Sequence, residues 1–235
     1  MTIGKRVVIV TGAGGNLGAA VTTELNWQGA SLVCVDYAAQ SLEAVEKSLS
    51  PAADVLTLSG LDLTKLEDAQ KMVAAALDKF GRVDALVNTV GGFRMAPAVD
   101  ALKDWDFLMN INARAALATS AAVAPAMRER GFGRIVHIAA GAGSKGGAEM
   151  SVYSAAKAAV MRIAESLAEE LSADGVTVNC VLPGTIDTPQ NRAAMPDADT
   201  SRWVPPSDIA RVIALLISEA AGSVTGAAIP VTRRS

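Results

Sequence analysis

The run Val7-Val8-Ile9-Val10-Thr11-Gly12-Ala13-Gly14-Gly15-Asn16-Leu17-Gly18 decides how the rest of the chain reads. Its first four residues are all β-branched, a pattern that fits a short strand buried on both faces, as in a parallel sheet. The strand passes straight into a glycine-rich turn, and residues 18–27 then carry a helical pattern. Glycines at such a turn let the backbone bend tightly and approach a ligand. The helix behind it offers free N–H groups and the positive end of its dipole to a pyrophosphate.

The alternation continues along the chain. Strand-like runs occupy 31–36, 55–58, 85–88, 135–138, 176–182 and 227–231, and helical stretches 42–49, 66–80, 113–130, 153–171 and 207–219 lie among them. Strands separated by helices imply right-handed crossovers and an α/β fold: one doubly wound domain, a parallel seven-stranded sheet with helices on both faces. No composition break marks a linker and no repeat is evident. Residues 183–206 lack periodicity and hold five prolines, which points to a lid over a substrate.

Composition narrows the function classes. At 235 residues, 51% hydrophobic and 19% charged, the chain can build a large core, and its 45 alanines against 4% aromatics predict closely packed helices. A net charge of −3 without a basic face argues against nucleic acid. No apolar run is long enough to span a membrane, and the four apolar residues after Lys5-Arg6 are too few for a signal peptide, so a soluble, cytoplasmic protein is expected. Cys34 and Cys180 read as buried, reduced thiols, and with one histidine in the chain no metal site is expected.

Asp36 closes the second strand-like run, 18 residues after Gly18. A carboxylate there accepts hydrogen bonds from a ribose diol and repels a 2′-phosphate; with no Arg or Lys in the turn or directly after Asp36, NAD is favoured over NADP. Tyr153 and Lys157 stand four apart at the start of a helix and share one face. A phenol titrates near 10, and a neighbouring ammonium helped by a nicotinamide cation is expected to lower that value and fit Tyr153 for proton transfer.

Taken as a set, these residues resemble the short-chain dehydrogenase/reductase family over nearly the whole chain, which implies a Rossmann-type domain. The resemblance assigns Gly12, Gly14, Gly15, Asn16, Leu17 and Gly18 to the cofactor loop. Asn16 replaces the usual middle glycine, a substitution that a left-handed backbone at Asn would accommodate. It also implies cofactor contacts from Asp36 and Tyr37, from Asp62 and Leu63, and from Asn88, Val90 and Gly91 in the motif Asn88-Thr89-Val90-Gly91. Pro183, Gly184, Ile186 and Thr188 resemble the segment that holds the nicotinamide carboxamide. Tyr153, Lys157 and Asn112 match the catalytic positions, with Tyr153 and Lys157 also touching the cofactor.

One family residue is missing. The catalytic serine falls on Ala140, preceded by Ala139, and Ser144 lies further along. The same departure resembles the quinoid dihydropteridine reductase branch, as do Gly91-Gly92 and a lid holding Asn191, Arg192, Met195 and Trp203; an activated ring substrate there makes a serine donor dispensable. His137 reads as a core residue and Glu165, Glu169 and Glu170 as a solvated face. Phe93 and Met95 line the substrate pocket or cover the sheet edge, Arg94 contacts substrate or stays solvated, and Arg233 and Arg234 are too few for nucleic acid. The leading expectation is hydride transfer between NAD(H) and a small carbonyl, alcohol or quinonoid-ring substrate. The alternatives are quinonoid dihydropteridine reduction specifically, or a silent dinucleotide sensor. The resemblance also implies a homodimer or homotetramer through helices 113–130 and 153–171.

Overall fold

A computed structural model describes residues 3–232, so Arg233 and Arg234 lie outside the described residues. Seven strands form one sheet in the order β3-β2-β1-β4-β5-β6-β7, and every neighbouring pair is parallel. They are β1 (Val7–Thr11), β2 (Ser31–Asp36), β3 (Val55–Ser59), β4 (Ala85–Asn88), β5 (Gly133–Ile138), β6 (Val176–Pro183) and β7 (Ala228–Val231). The longer helices are α1 (Asn16–Trp27), α2 (Ala39–Ser48) and α3 (Leu66–Phe80), then α6 (Ala115–Arg130), α8 (Ser151–Leu171) and α10 (Pro206–Leu216). Shorter ones are α4 (Ala98–Ala101), α5 (Trp105–Leu108), α7 (Gly141–Ser144) and α9 (Pro189–Ala194).

The period of two in the strands divides the core. Val7, Ile9, Val33, Leu86, Ile135 and Val178 face α3, α6 and α8, whereas Val8, Val10, Leu32, Val87, Val136 and Val181 face α1, α2 and α10. Both cysteines are buried and free, as expected, one on each face: Cys34 with the second group and Cys180 with the first.

The chain winds outward through β1, β2 and β3, then returns to place β4 beside β1. A crevice opens where the winding reverses, beyond the carboxyl ends of the strands, and ligands bind there in open α/β sheets. The glycine-rich loop, the segment after β4 and the start of α8 all converge on it. Residues 98–114 carry more helix than their pattern predicts: α4, a turn of 3₁₀ helix, α5 and a π-helical turn at Met109–Arg114 lead without interruption into α6. The lid region contains α9, a short 3₁₀ turn at Thr200–Arg202 and a parallel bridge between Ile186 and Val204, with Trp203 buried.

Candidate active site

Gly12 adopts φ +67 and its amide region lies against Thr89, whose hydroxyl donates to Thr11 O at 2.7 Å. A side chain at Gly12 would be strained by that φ and would meet Thr89 Oγ1 at 2.8 Å. Gly18 sits in the first turn of α1, where a Cβ would collide with the Gly12 carbonyl oxygen. Gly18 thus lets α1 approach the loop closely, and Gly12 lets the loop approach the segment after β4. Asn16 does not take the left-handed conformation expected of it: it is the first residue of α1, and among the described residues Glu149 is the non-glycine with positive φ. The turn survives without a middle glycine because helical geometry, open to any residue, suffices at that position.

Asp36 Oδ2 accepts from Gly14 N at 3.0 Å and Oδ1 from Ala38 N at 3.1 Å, so backbone amides fix the carboxylate at the end of β2. A cleft of about 350 Å³ lies in front of it. The loop contributes Gly12 and Gly15, the end of β2 Asp36 and Tyr37, the segment after β3 Asp62 and Leu63, and the segment after β4 Val90 and Gly91, all eight expected from the sequence. Leu61, Thr64, Thr89 and Ile111 line it as well, unforeseen; the first three adjoin expected residues, but Ile111 arrives on the π-helical turn, which left no local signal. Asp62 accepts from the hydroxyl and amide of Thr64 at 2.7 and 3.1 Å, and these bonds, the hydroxyl first, hold its carboxyl below the usual range.

Asn88 is not brought to the cleft. Its side chain is buried in the sheet, where Oδ1 accepts from Thr11 Oγ1 at 2.6 Å and Nδ2 meets His137 Nδ1 at 3.4 Å. Since an amide NH₂ only donates, Nδ1 is the acceptor and Nε2–H donates to Ser120 Oγ at 2.9 Å. Burial, with Lys157 second, pushes His137 down to about 4, so it stays neutral. It is the core residue expected of it, tying β1, β4, β5 and α6 together.

At the other end of the crevice the π-helical turn presents Asn112, whose amide clamps the loop after β4: Nδ2 donates to Gly92 O at 3.0 Å and Leu108 O at 2.9 Å, and Oδ1 accepts from Gly92 N at 3.2 Å. Lys157, buried on α8, donates to Ile138 O at 2.9 Å. The two groups meet at Gly91, where a Cβ would stand 2.8 Å from Asn112 Oδ1 and 3.1 Å from Lys157 Nζ. Lys157 Nζ is 5.9 Å from the centre of the Tyr153 ring, and the Phe93 ring stands edge-on to that ring at 4.8 Å.

The protein's own groups do not lower the Tyr153 pKa as expected. Burial pushes the phenol up to about 12, and burial likewise draws Lys157 down to about 8. The ammonium is directed at Ile138 O rather than at the phenol, so desolvation prevails.

Ser144 does not replace the hydroxyl absent at Ala140. Ser144 Oγ points at Met161 Sδ, 3.9 Å away. Arg94 is half exposed, as a solvated loop residue would be, but it is held in place: it pairs with Asp104 at 2.6 Å and lies over the Phe107 ring at 4.0 Å. Phe93 and Met95 are about half exposed, the former beside Tyr153. Glu165 and Glu170 are in exposed ion pairs with Arg162 and Arg128. On the lid, Gly184 N donates to Val231 O at 3.0 Å, and Thr188 caps α9 by accepting from Asn191 N at 3.1 Å. Pro183 closes β6, so Pro183, Gly184, Ile186 and Thr188 leave the sheet beside the end of β5 that carries Ile138. Among the described residues no helix is long and apolar enough to cross a membrane.

The model of the short chain dehydrogenase family matches residues 6–199. The chain is 35% identical over 237 residues to the (2S)-[(R)-hydroxy(phenyl)methyl]succinyl-CoA dehydrogenase subunit BbsD of Thauera aromatica, covering 96% of this chain and 94% of the relative. It is 31% identical over 215 residues to an uncharacterized oxidoreductase of Staphylococcus aureus (strain USA300), covering 91% of each. Among solved structures, levodione reductase superimposes with a TM-score of 0.91 at 29% identity, over 98% of this chain and 97% of that one. NAD+-bound xylitol dehydrogenase gives 0.91 at 25% identity, over 99% of both chains.

Proposed function

Because the chain belongs to the short chain dehydrogenase family, we propose that it is an NAD(H)-dependent oxidoreductase acting on a small carbonyl, alcohol or quinonoid-ring substrate. The observation that carries this reading is the convergence of Lys157 and Asn112 on Gly91 at the edge of the 350 Å³ cleft, with Tyr153 one helical turn before Lys157.

The residues fit a dinucleotide. The N-terminus of α1 and the close-packed Gly12, Gly14, Gly15, Asn16, Leu17 and Gly18 would receive the pyrophosphate. Asp36 and Tyr37 would hold the adenosine ribose, and Asp62, Leu63 and Val90 the adenine. The fixed carboxylate of Asp36 favours NAD over NADP. Pro183, Gly184, Ile186 and Thr188 would take the carboxamide. When bound, the nicotinamide supplies or accepts the hydride. Tyr153 gives the substrate oxygen or nitrogen its proton, or takes it back in the other direction. Lys157 would hold ribose hydroxyls, while Asn112 holds the loop after β4 in place.

Ala140 favours a narrower reading within this one. With alanine in place of the serine hydroxyl that would polarise a carbonyl, a substrate already activated for hydride, such as a quinonoid dihydropterin, suits the site better than a simple ketone. A silent sensor is not favoured, since the named relatives are oxidoreductases. We further place the protein in the cytoplasm as a homodimer or homotetramer packed through α6 and α8. A screen of ketones, alcohols and quinonoid dihydropterin with NADH and NADPH in parallel tests these readings. NADH-linked turnover supports the function, and ready turnover of simple ketones overturns the narrower reading. A strong preference for NADPH overturns the role given to Asp36.

A further inference from the structure

Asn16 Nδ2 donates to Gln190 Oε1 at 2.7 Å, a hydrogen bond between side chains 174 residues apart. Asn16 begins α1, where the glycine-rich loop ends, and Gln190 is the second residue of α9 in the lid. The lid around Gln190 is braced from within. Asn191 Nδ2 donates to Ile186 O at 2.8 Å, and Arg192 clamps the Asp187 carboxylate with bonds of 2.6 and 2.9 Å. Its two ends are fastened to each other, since Asp187 N donates to Val204 O at 2.9 Å and Val204 N to Thr185 O at 2.8 Å, with Trp203 buried next to them. Residues 186–192 are therefore braced against one another and held to Val204 at the far end of the lid, and the Asn16–Gln190 bond joins them to the nucleotide loop. A glycine at position 16 has no side chain to make this reach. Asparagine does, and from a helical position that leaves the loop's shape unchanged.

We propose that the Asn16–Gln190 bond straps the lid to the glycine-rich loop and sets the rate at which a bound dinucleotide leaves. The inference rests on the NAD(H) reading above. A dinucleotide lying between the N-terminus of α1 and the lid must part this pair, or displace the lid, on its way out. The Asn16 side chain and Gln190 are thus positioning groups, acting through the lid and not on the reacting atoms, whatever the Asn16 backbone gives the pyrophosphate.

Stopped-flow displacement of NADH from the wild type, Asn16→Gly, Gln190→Ala and the double variant tests the strap, together with hydrogen exchange of residues 189–194 in the absence of nucleotide. Each single substitution is expected to speed NADH release about threefold to tenfold, the scale of one neutral hydrogen bond, and to speed exchange across 189–194. The double variant is expected to release NADH no faster than the single ones, because both remove the same bond. Release in the double variant that multiplies the two single effects overturns the strap, since it means two independent causes. Unchanged release in both single variants, with NADH still bound, overturns the strap alone. Unchanged exchange across 189–194 overturns the contact on which it depends. A wild-type protein that binds neither NADH nor NADPH overturns the proposed function and the strap with it.

Discussion

Tyr153, the proton donor proposed above, illustrates how much of such a residue's character comes from its surroundings. Burial alone takes its phenol to about 12, so near neutral pH it holds its proton and is set up to donate; acting as a base requires positive charge brought beside it. Tyr153→Phe removes that proton while leaving the ring packed against Phe93. Turnover is expected to fall about 10²- to 10⁴-fold with the NADH dissociation constant within about threefold, read by steady-state kinetics and fluorescence titration. Unchanged turnover would remove Tyr153 from the mechanism. Ala140 permits the opposite experiment. Ala140→Ser adds a donor at the position the family resemblance assigns to its catalytic serine, and kcat/KM on a simple ketone is expected to rise about tenfold. On an already activated quinonoid ring it should change much less. A rise of equal size on both substrates would sink the argument that the substrate's activation replaces the hydroxyl.

At the scale of elements, β1, β4 and β5 are joined at their carboxyl ends by the Thr11–Asn88–His137–Ser120 chain, and its titration has a definite sign. The folded value of His137, about 4, lies below the ordinary 6.5. Between those values the unfolded chain therefore binds a proton that the folded chain does not. The stability present above pH 6.5 is lost as pH falls toward 4, by about 3 kcal/mol in full. Urea unfolding between pH 7 and 5 is expected to show this acid limb in the wild type and a flatter one in His137→Asn; parallel limbs would assign the loss to other groups. The same elements show where sequence reading reaches its limit. Strand positions and the Gly12, Gly18 and Asp36 spacing were legible because they are local: β-branched runs, a tight turn, a carboxylate at a strand end. Asn88 was legible as a motif residue but not as a sheet brace, since its partners His137 and Thr11 lie 49 and 77 residues away. The π-helical turn that carries Asn112 and Ile111 had no periodic signature at all, and Arg94 gave no sign of Asp104 and Phe107 as its partners. Each of these depends on contacts between segments that no local pattern encodes.

For the molecule as a whole, the reversal of winding between β1 and β4 opens one crevice onto the glycine-rich loop and the segments after β2, β3 and β4, so a ligand bound there would couple to the stability of the entire sheet. The abundance of alanine fits this design. Ala116, Ala124, Ala164 and Ala168 are buried where α6 and α8 approach the sheet, small side chains bring those helices close, and the crevice rim is thereby built on packed elements except at the lid. A dinucleotide that binds the folded state alone must raise the unfolding temperature of the whole domain. At a concentration 100 times its dissociation constant the gain is about 2.7 kcal/mol, which in a domain of this size corresponds to roughly 5–10 °C. NADH is expected to give that shift in a thermal melt, and NADPH a markedly smaller one at equal concentration, because the Asp36 carboxylate fixed by Gly14 N and Ala38 N meets the 2′-phosphate with like charge. Asp36→Ser, which keeps a hydroxyl but removes the charge, should narrow the gap between the two nucleotides chiefly by improving NADPH. Equal shifts from NADH and NADPH in the wild type would show that Asp36 does not read the ribose, and the cofactor preference would then have to come from elsewhere on the crevice rim.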